Sequence, residues 1–246
     1  MGCGKVLSFG ADPIGHALGL EGWGDTVSFQ PWRLADSLGN DWRTVKHWLV
    51  PDMRRDREVT TNSGITSRRL IYGRARVGIQ LAYICTSGSK NEKLHVIGIF
   101  CGHPIDAFEQ IWLDDKLITD AIFGKYVKYE LFDGTQTTAC ASMATASGGI
   151  WTSNHILKGC AYIYAQLTYN ETAFPRGLPS IKGVIRGRKV YDPRTGVTAW
   201  SDNPALCARD YMLLSNEYGG MGCDADEVPS DDEIITRANY CDQIVI

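Results

Sequence analysis

The sequence predicts an α+β protein dominated by β-structure: an antiparallel meander or barrel-like body followed by a C-terminal pair of helices. Three observations lead there. Runs rich in Ile, Val, Tyr and Leu with interleaved polar residues recur from about residue 67 to 191. Turn-forming clusters such as "SGSKNEK" and "ETAFPRGLP" separate them. Past residue 192 the apolar spacing changes from that of strands to that of helices.

The first β signal is "RRLIYGRARVGIQLAYICTS", and "LHVIGIFCG" follows it. In "AFEQIWLDDKLITD" the pair Asp114–Asp115 lies between two apolar runs, as a hairpin turn would. "KYVKYELFDG" alternates with period two, Val127, Tyr129 and Leu131 on one side and Lys128, Glu130 and Phe132 on the other. Residues 134–158 are small, polar and glycine-containing, which predicts an excursion from the sheet with a short helix near 139–146. "GCAYIYAQLTYN" and "SIKGVIRGRKVYD" then read as two long strands, making roughly seven strands in all. In "AWSDNPALCARDYMLLS", Asp202 or Asn203 can cap a helix with Pro204 in its first turn, and "YGGMG" supplies glycines to end it. Trp200 stands ready to anchor that helix. Ser230 and Glu233 have capping-box spacing for a second helix, with Ile234, Ala238 and Cys241 on its inner line.

This pattern divides the chain into a glycine-rich N-terminal arm with a short helix (1–60), a β-rich domain (61–191) and the helical pair (192–246). In the arm, Trp42, Val45 and Leu49 fall at helical spacing before Pro51. The 246 residues carry 25 basic and 28 acidic side chains, so net charge gives no general attraction to nucleic acid or an anionic membrane. No apolar run reaches the roughly 20 residues of a membrane span. Eight cysteines include no Cys-x-x-Cys pair, and many sit inside apolar runs, where free thiols act as small hydrophobes.

Chemistry-bearing patterns are sparse. "GCGK" near the N-terminus lacks the spacing, the preceding strand and the Ser or Thr of a phosphate loop. Asp114 and Asp115, as neighbours in a turn, do not converge on one substrate atom. Asp224, Asp226, Glu227, Asp231 and Asp232 lack calcium-loop spacing and suit a helix N-terminus. Cys101 with His103 or His155 is the candidate set for a cysteine-dependent, cell-wall-directed hydrolase. Arginines crowd the stretch from Arg54 to Arg76, including Arg55, Arg57, Arg68, Arg69 and Arg74. Lys182, Arg186 and Arg188 are placed by period two on one face of a later strand. Such stripes could meet phosphates in a nucleic-acid-binding module, while the acids Asp52, Asp56 and Glu58 favour inter-subunit ion pairs or a solvated face.

Four separated blocks carry a family resemblance: "ITSRRLIYGRARVG" (65–78), "KGVIRGRKVYDPRTG" (182–196), "WSDNPALCARDYML" (200–213) and "ANYCDQ" (238–243). In this order they resemble the phage tail tip attachment, or central tail hub, proteins, the lambda-type host-specificity proteins of long-tailed phages. The resemblance implies a structural virion component, assembled in the host bacterial cytoplasm. It implies a symmetric homo-oligomer, such as a trimer, in contact with the tube-end ring, the tape measure and distal fibre or tip proteins. It carries over no catalytic residue, cofactor or metal, and implies neither a membrane nor a nucleic acid as partner. Tyr72, Arg74, Arg76, Arg186, Arg188, Tyr191 and Trp200 are its interface or fold positions, with Gly73, Asp192, Pro193, Asn203, Pro204 and Cys207 beside them. Lambda-type proteins continue far beyond the last block, so the receptor-reading part is expected to be absent or supplied by another chain.

Overall fold

The computed structural model describes residues 69–88 and 91–243. The N-terminal arm and the short helix expected in it, Cys3, and the arginines 54, 55, 57 and 68 lie outside the described residues.

The described chain is α+β and β-rich, with antiparallel pairing throughout. Ten strands run in the order β1 (Arg74–Gly78), β2 (Gln80–Ser87), β3 (Lys93–Cys101), β4 (Ala107–Leu113), β5 (Lys116–Leu117), β6 (Val127–Phe132), β7 (Ala161–Thr168), β8 (Ile181–Arg186), β9 (Lys189–Asp192) and β10 (Val197–Trp200). Three α-helices are interspersed: α1 (Ala141–Ala146), α2 (Pro204–Leu213) and α3 (Asp231–Cys241).

The strands form sheet A, ordered β1-β8-β4-β5, sheet B, ordered β2-β3-β7-β6, and the separate hairpin β9-β10. Strand order therefore interleaves distant parts of the chain. The ten strands exceed the seven expected because two apparent long runs each break in two and because Val197–Trp200, past the last expected strand, forms β10. "RARVGIQLAYICTS" turns a corner at Ile79, leaving β1 in sheet A and β2 in sheet B. The corner is buried, and the Ile79 side chain lies where a Cβ on Gly98 would stand, so only glycine at 98 admits it. "KGVIRGRKVYD" breaks at Gly187, where the strand leaves sheet A to begin the hairpin.

Side-chain alternation then builds two cores on sheet B. Leu94, Val96, Phe100, Ile163, Ala165 and Leu167 face sheet A, meeting Ile111, Leu113, Ile181 and Ile185. His95, Ile97, Ile99, Tyr162 and Tyr164 point the other way and are buried too. Residues 133–160 cover that second face, so the stretch anticipated as a polar excursion carries Met143, Trp151 and Leu157 into a core of their own. Gln136 holds this cover closed, its Nε2 donating to the carbonyls of Leu157 (2.6 Å) and Cys160 (3.1 Å).

A third, smaller cluster joins Val190 of the hairpin to Leu206, Ile234 and Ala238, with Tyr72 and Ala205 against it. The helical pair thus docks on β9 instead of on a four-stranded sheet. Asn203 is the N-cap of α2, its side chain accepting from the Ala205 and Leu206 N–H groups, with Pro204 in the first turn. The helix ends at Leu214 in extended backbone, and the glycines serve a following single turn, Asn216–Tyr218, which Gly219 closes at φ 85°. On α3 the capping box forms, with Glu233 accepting from the Ser230 N–H at 3.0 Å. Ile234 and Ala238 are buried as expected, but Cys241 is exposed.

Candidate functional site

The four sequence blocks, separated by up to 100 residues and more, come together where β1, β8, the hairpin and the helical pair meet. β1 lies antiparallel to β8, placing Arg74 opposite Arg186. Like charges directly opposite one another are destabilising unless countered. Glu109 takes Arg74, and Asp106 takes Arg186 at 2.6 Å and Lys189 at 3.5 Å.

Asp210 on α2 is the central acceptor. Its Oδ2 receives the Tyr72 hydroxyl and the Arg188 Nε, each at 2.7 Å. Burial, reinforced by the Asp210 carboxylate, pushes the Tyr72 phenol well above its usual range. The Arg188 N–H also donates to the Ile71 carbonyl at 2.8 Å, and the Gly187 N–H to that of Gly73 at 2.7 Å. These bonds show why Arg188 does not continue the face of Lys182 and Arg186: it lies past the break, in the link to the hairpin. Replacing Asp210 with alanine leaves a partly buried hydroxyl and a guanidinium without their acceptor. The Asp210→Ala variant is expected to lose about 2 kcal/mol of stability, read from its urea midpoint. A change below about 0.5 kcal/mol would show the triangle to be inert.

Trp200 anchors backward, onto the first block. Its Nε1 donates to the Gly73 carbonyl at 3.3 Å, and the Arg186 guanidinium sits 5.2 Å from its ring centre. Arg76 lies over Trp112 at 4.7 Å, further along the outer face of sheet A. Tyr191 is exposed and carries Arg209 over its ring at 5.4 Å, while Arg209 also pairs with Asp231.

The last block is tied in by two residues. Arg194 pairs with Asp192 at 2.7 Å and with Asp242 at 2.6 Å, and holds both carboxyls below the usual carboxylate range. Asn203, buried, donates from Nδ2 to the Ala238 carbonyl (2.9 Å) and to Asp242 Oδ1 (2.7 Å) while its oxygen caps α2. One amide thus joins two helices. Sequence reasoning missed Asp210, Asp106, Arg194 and Asp242 as partners. A signal existed for Asp210 alone, a charge on the same helical line as Leu206 and Leu213.

The cysteine–histidine candidates do not converge. The Cys101 thiol donates to the His103 carbonyl at 3.4 Å, and burial pushes it up to about 12, away from a reactive thiolate. The His103 ring accepts from the Ile71 N–H at 2.9 Å and faces the Pro104 carbonyl at 2.7 Å. His155 accepts from the Thr152 N–H and stacks on Trp151. Asp114 adopts φ 51° in its turn and fixes the neighbouring loop, accepting from the Ser180 N–H at 2.8 Å. In the acidic cluster, Glu227 accepts from the Asp224 N–H and Asp231 takes Arg209. Among the described residues no group of three or more His, Cys, Asp or Glu side chains is placed to hold a metal ion, and no helix is long and apolar enough to cross a membrane.

No family model matches the chain, and no curated protein matches it. Six chains of solved structures do. One is described as the virion of a native gene transfer agent particle, with 17% identity and a TM-score of 0.42. The match covers 69% of this chain and 41% of that one, so the present chain spans less than half of its length. A likeness at this level assigns neither fold nor role.

Proposed function

We propose that this chain is a non-enzymatic component of a phage tail, a tail hub or tip adaptor subunit that acts by oligomeric assembly at the end of the tail tube. The observation that carries the reading is the meeting of the four family-like blocks around Asp210 and Asn203. Tyr72 of the first block and Arg188 of the second converge on Asp210 of the third. Asn203 of the third reaches Ala238 and Asp242 of the fourth. Residues that resemble a family's motif are thereby spent on fixing one element against another, which suits a protein whose work is the shape and chemistry of its outer surfaces. The partners proposed are further copies of the chain and other tail proteins: the tube-end ring, the tape measure and distal fibre or tip proteins. The place proposed is the virion.

Native mass spectrometry of the full chain, co-expressed with proteins encoded beside it, tests this. The expected result is a stoichiometric complex with at least one tail protein. A chain that binds no tail protein, or one that cleaves peptidoglycan in an iodoacetamide-sensitive way, would overturn the reading.

A further inference from the structure

β6 is an end strand of sheet B. It pairs with β7 on one side, and its other side has no strand partner among the described residues. Such an edge presents backbone donors and acceptors that can take another strand, with the Val127 N–H at its start already given to the Phe123 carbonyl at 3.0 Å. Its residues Val127, Tyr129 and Leu131 share one face by alternation, and Tyr129 and Leu131 remain 38% and 37% exposed. Lys128 and Glu130 share the opposite face.

Charges on an edge usually discourage pairing. Here their order does the reverse in one register. An antiparallel copy of β6 centred on Tyr129 sets Lys128 opposite Glu130 twice, Val127 opposite Leu131 twice, and Tyr129 opposite itself on the two-fold axis. Sliding the partner by two residues either way sets lysine against lysine or glutamate against glutamate, and directly opposed like charges destabilise a strand pair. The apolar face is complementary in the same register, since the two exposed apolar side chains both fall in the seam. Glu130 enters such a pair already held, accepting from the Ser142 hydroxyl of α1.

We propose that β6 pairs antiparallel with β6 of a second copy of this chain, centred on Tyr129, joining the two copies of the four-stranded sheet B into one continuous sheet. The contact stands on the strand's own chemistry. A β6-linked dimer that binds no tail protein would keep this inference and remove the tail reading.

Sedimentation of the full chain over a wide concentration range tests the pairing, together with charge variants. The wild type is expected to dimerise reversibly. Lys128→Glu and Glu130→Lys are each expected to weaken the dimer at least about tenfold, because either one places like charges in both 128–130 contacts. Mixed one to one, the two variants are expected to associate with each other, since every 128–130 contact then joins opposite signs. Tyr129→Cys should give a disulfide-linked dimer on mild oxidation, because directly opposed Cα atoms lie about 4.5–5.5 Å apart, within disulfide reach. Should Glu130→Lys fail to fold for loss of its Ser142 contact, Lys128→Glu and Tyr129→Cys still decide. A wild type that stays monomeric would overturn the proposal. So would a dimer indifferent to Lys128→Glu, or cross-linking through Tyr129→Cys no faster than through Leu117→Cys.

Discussion

Gly187→Ala is expected to destabilise the protein by at least about 3 kcal/mol, a large share of the roughly 5–15 kcal/mol that holds a typical domain folded. A Cβ at this position would stand 2.0 Å from the Ile71 carbonyl oxygen and 2.6 Å from its carbon. Both atoms are backbone, so no side-chain rotation relieves the clash. Relief would require separating the link at 187 from residues 71–73. That separation breaks the bonds from the Gly187 N–H to Gly73 and from the Arg188 N–H to Ile71. It also pulls Arg188 away from Asp210, the acceptor shared with Tyr72. Gly124 is the control, because a Cβ there meets only the Ala121 carbonyl at an ordinary 3.5 Å. Urea denaturation of both variants checks the expectation. Equal midpoints for Gly187→Ala and Gly124→Ala would contradict it.

Acidification through the range from 6.5 to about 4 is expected to weaken the fold, and His95 is the main reason. Its ring is buried between Ser87, hydrogen-bonded to Nε2 at 2.7 Å, and Tyr164, hydrogen-bonded to Nδ1 at 2.8 Å. Burial, with the Lys93 charge in support, lowers its pKa from 6.5 to about 4. The native ring therefore stays neutral while the ring of the unfolded chain takes up a proton below 6.5. In that interval the unfolded state binds more protons, so stability falls as pH falls. The loss approaches about 3 kcal/mol at pH 4. His155 is also held low by burial and acts in the same direction. Thermal melts from pH 7.5 to 4 should show the decline, and His95→Gln, which keeps a neutral polar side chain, should flatten it. An unchanged slope in His95→Gln would remove His95 as the cause.

Local causes made much of this architecture readable in the chain. The Asp114–Asp115 turn, the Asn203 cap with Pro204 behind it, and the Ser230–Glu233 box each depend on residues within a few positions of one another. Such signals survive in sequence because their partners are near. What escaped reading depends on contacts between distant segments. Beside Ile79 the local mark of a corner is Gly78, where a Cβ would meet only the Ile181 carbonyl at 3.9 Å; the tight contact is at Gly98, in another strand. Period two carries on through "IRGRKV" without a pause, and the break at Gly187 follows from the closeness of Ile71. The stretch holding Trp151 and Leu157 has no periodicity, because its side chains are buried singly from loops. The candidate positions Tyr72, Arg188 and Trp200 stood out as block residues, while their meeting around Asp210 and Gly73 required the fold.

The corner at Ile79 has a mechanical consequence. A pull on the chain ahead of Arg74 runs lengthwise along β1, loading in shear the antiparallel ladder that joins Arg74–Gly78 to β8. Ladder bonds stretched side by side share tension, whereas bonds peeled one at a time do not. Past the bend the tension passes into β2 and so into the opposite layer, with the Ile79 side chain wedged over Gly98 like a key in its slot. The two layers are thus strapped by one unbroken length of polypeptide, and sliding one across the other must first drag that key out.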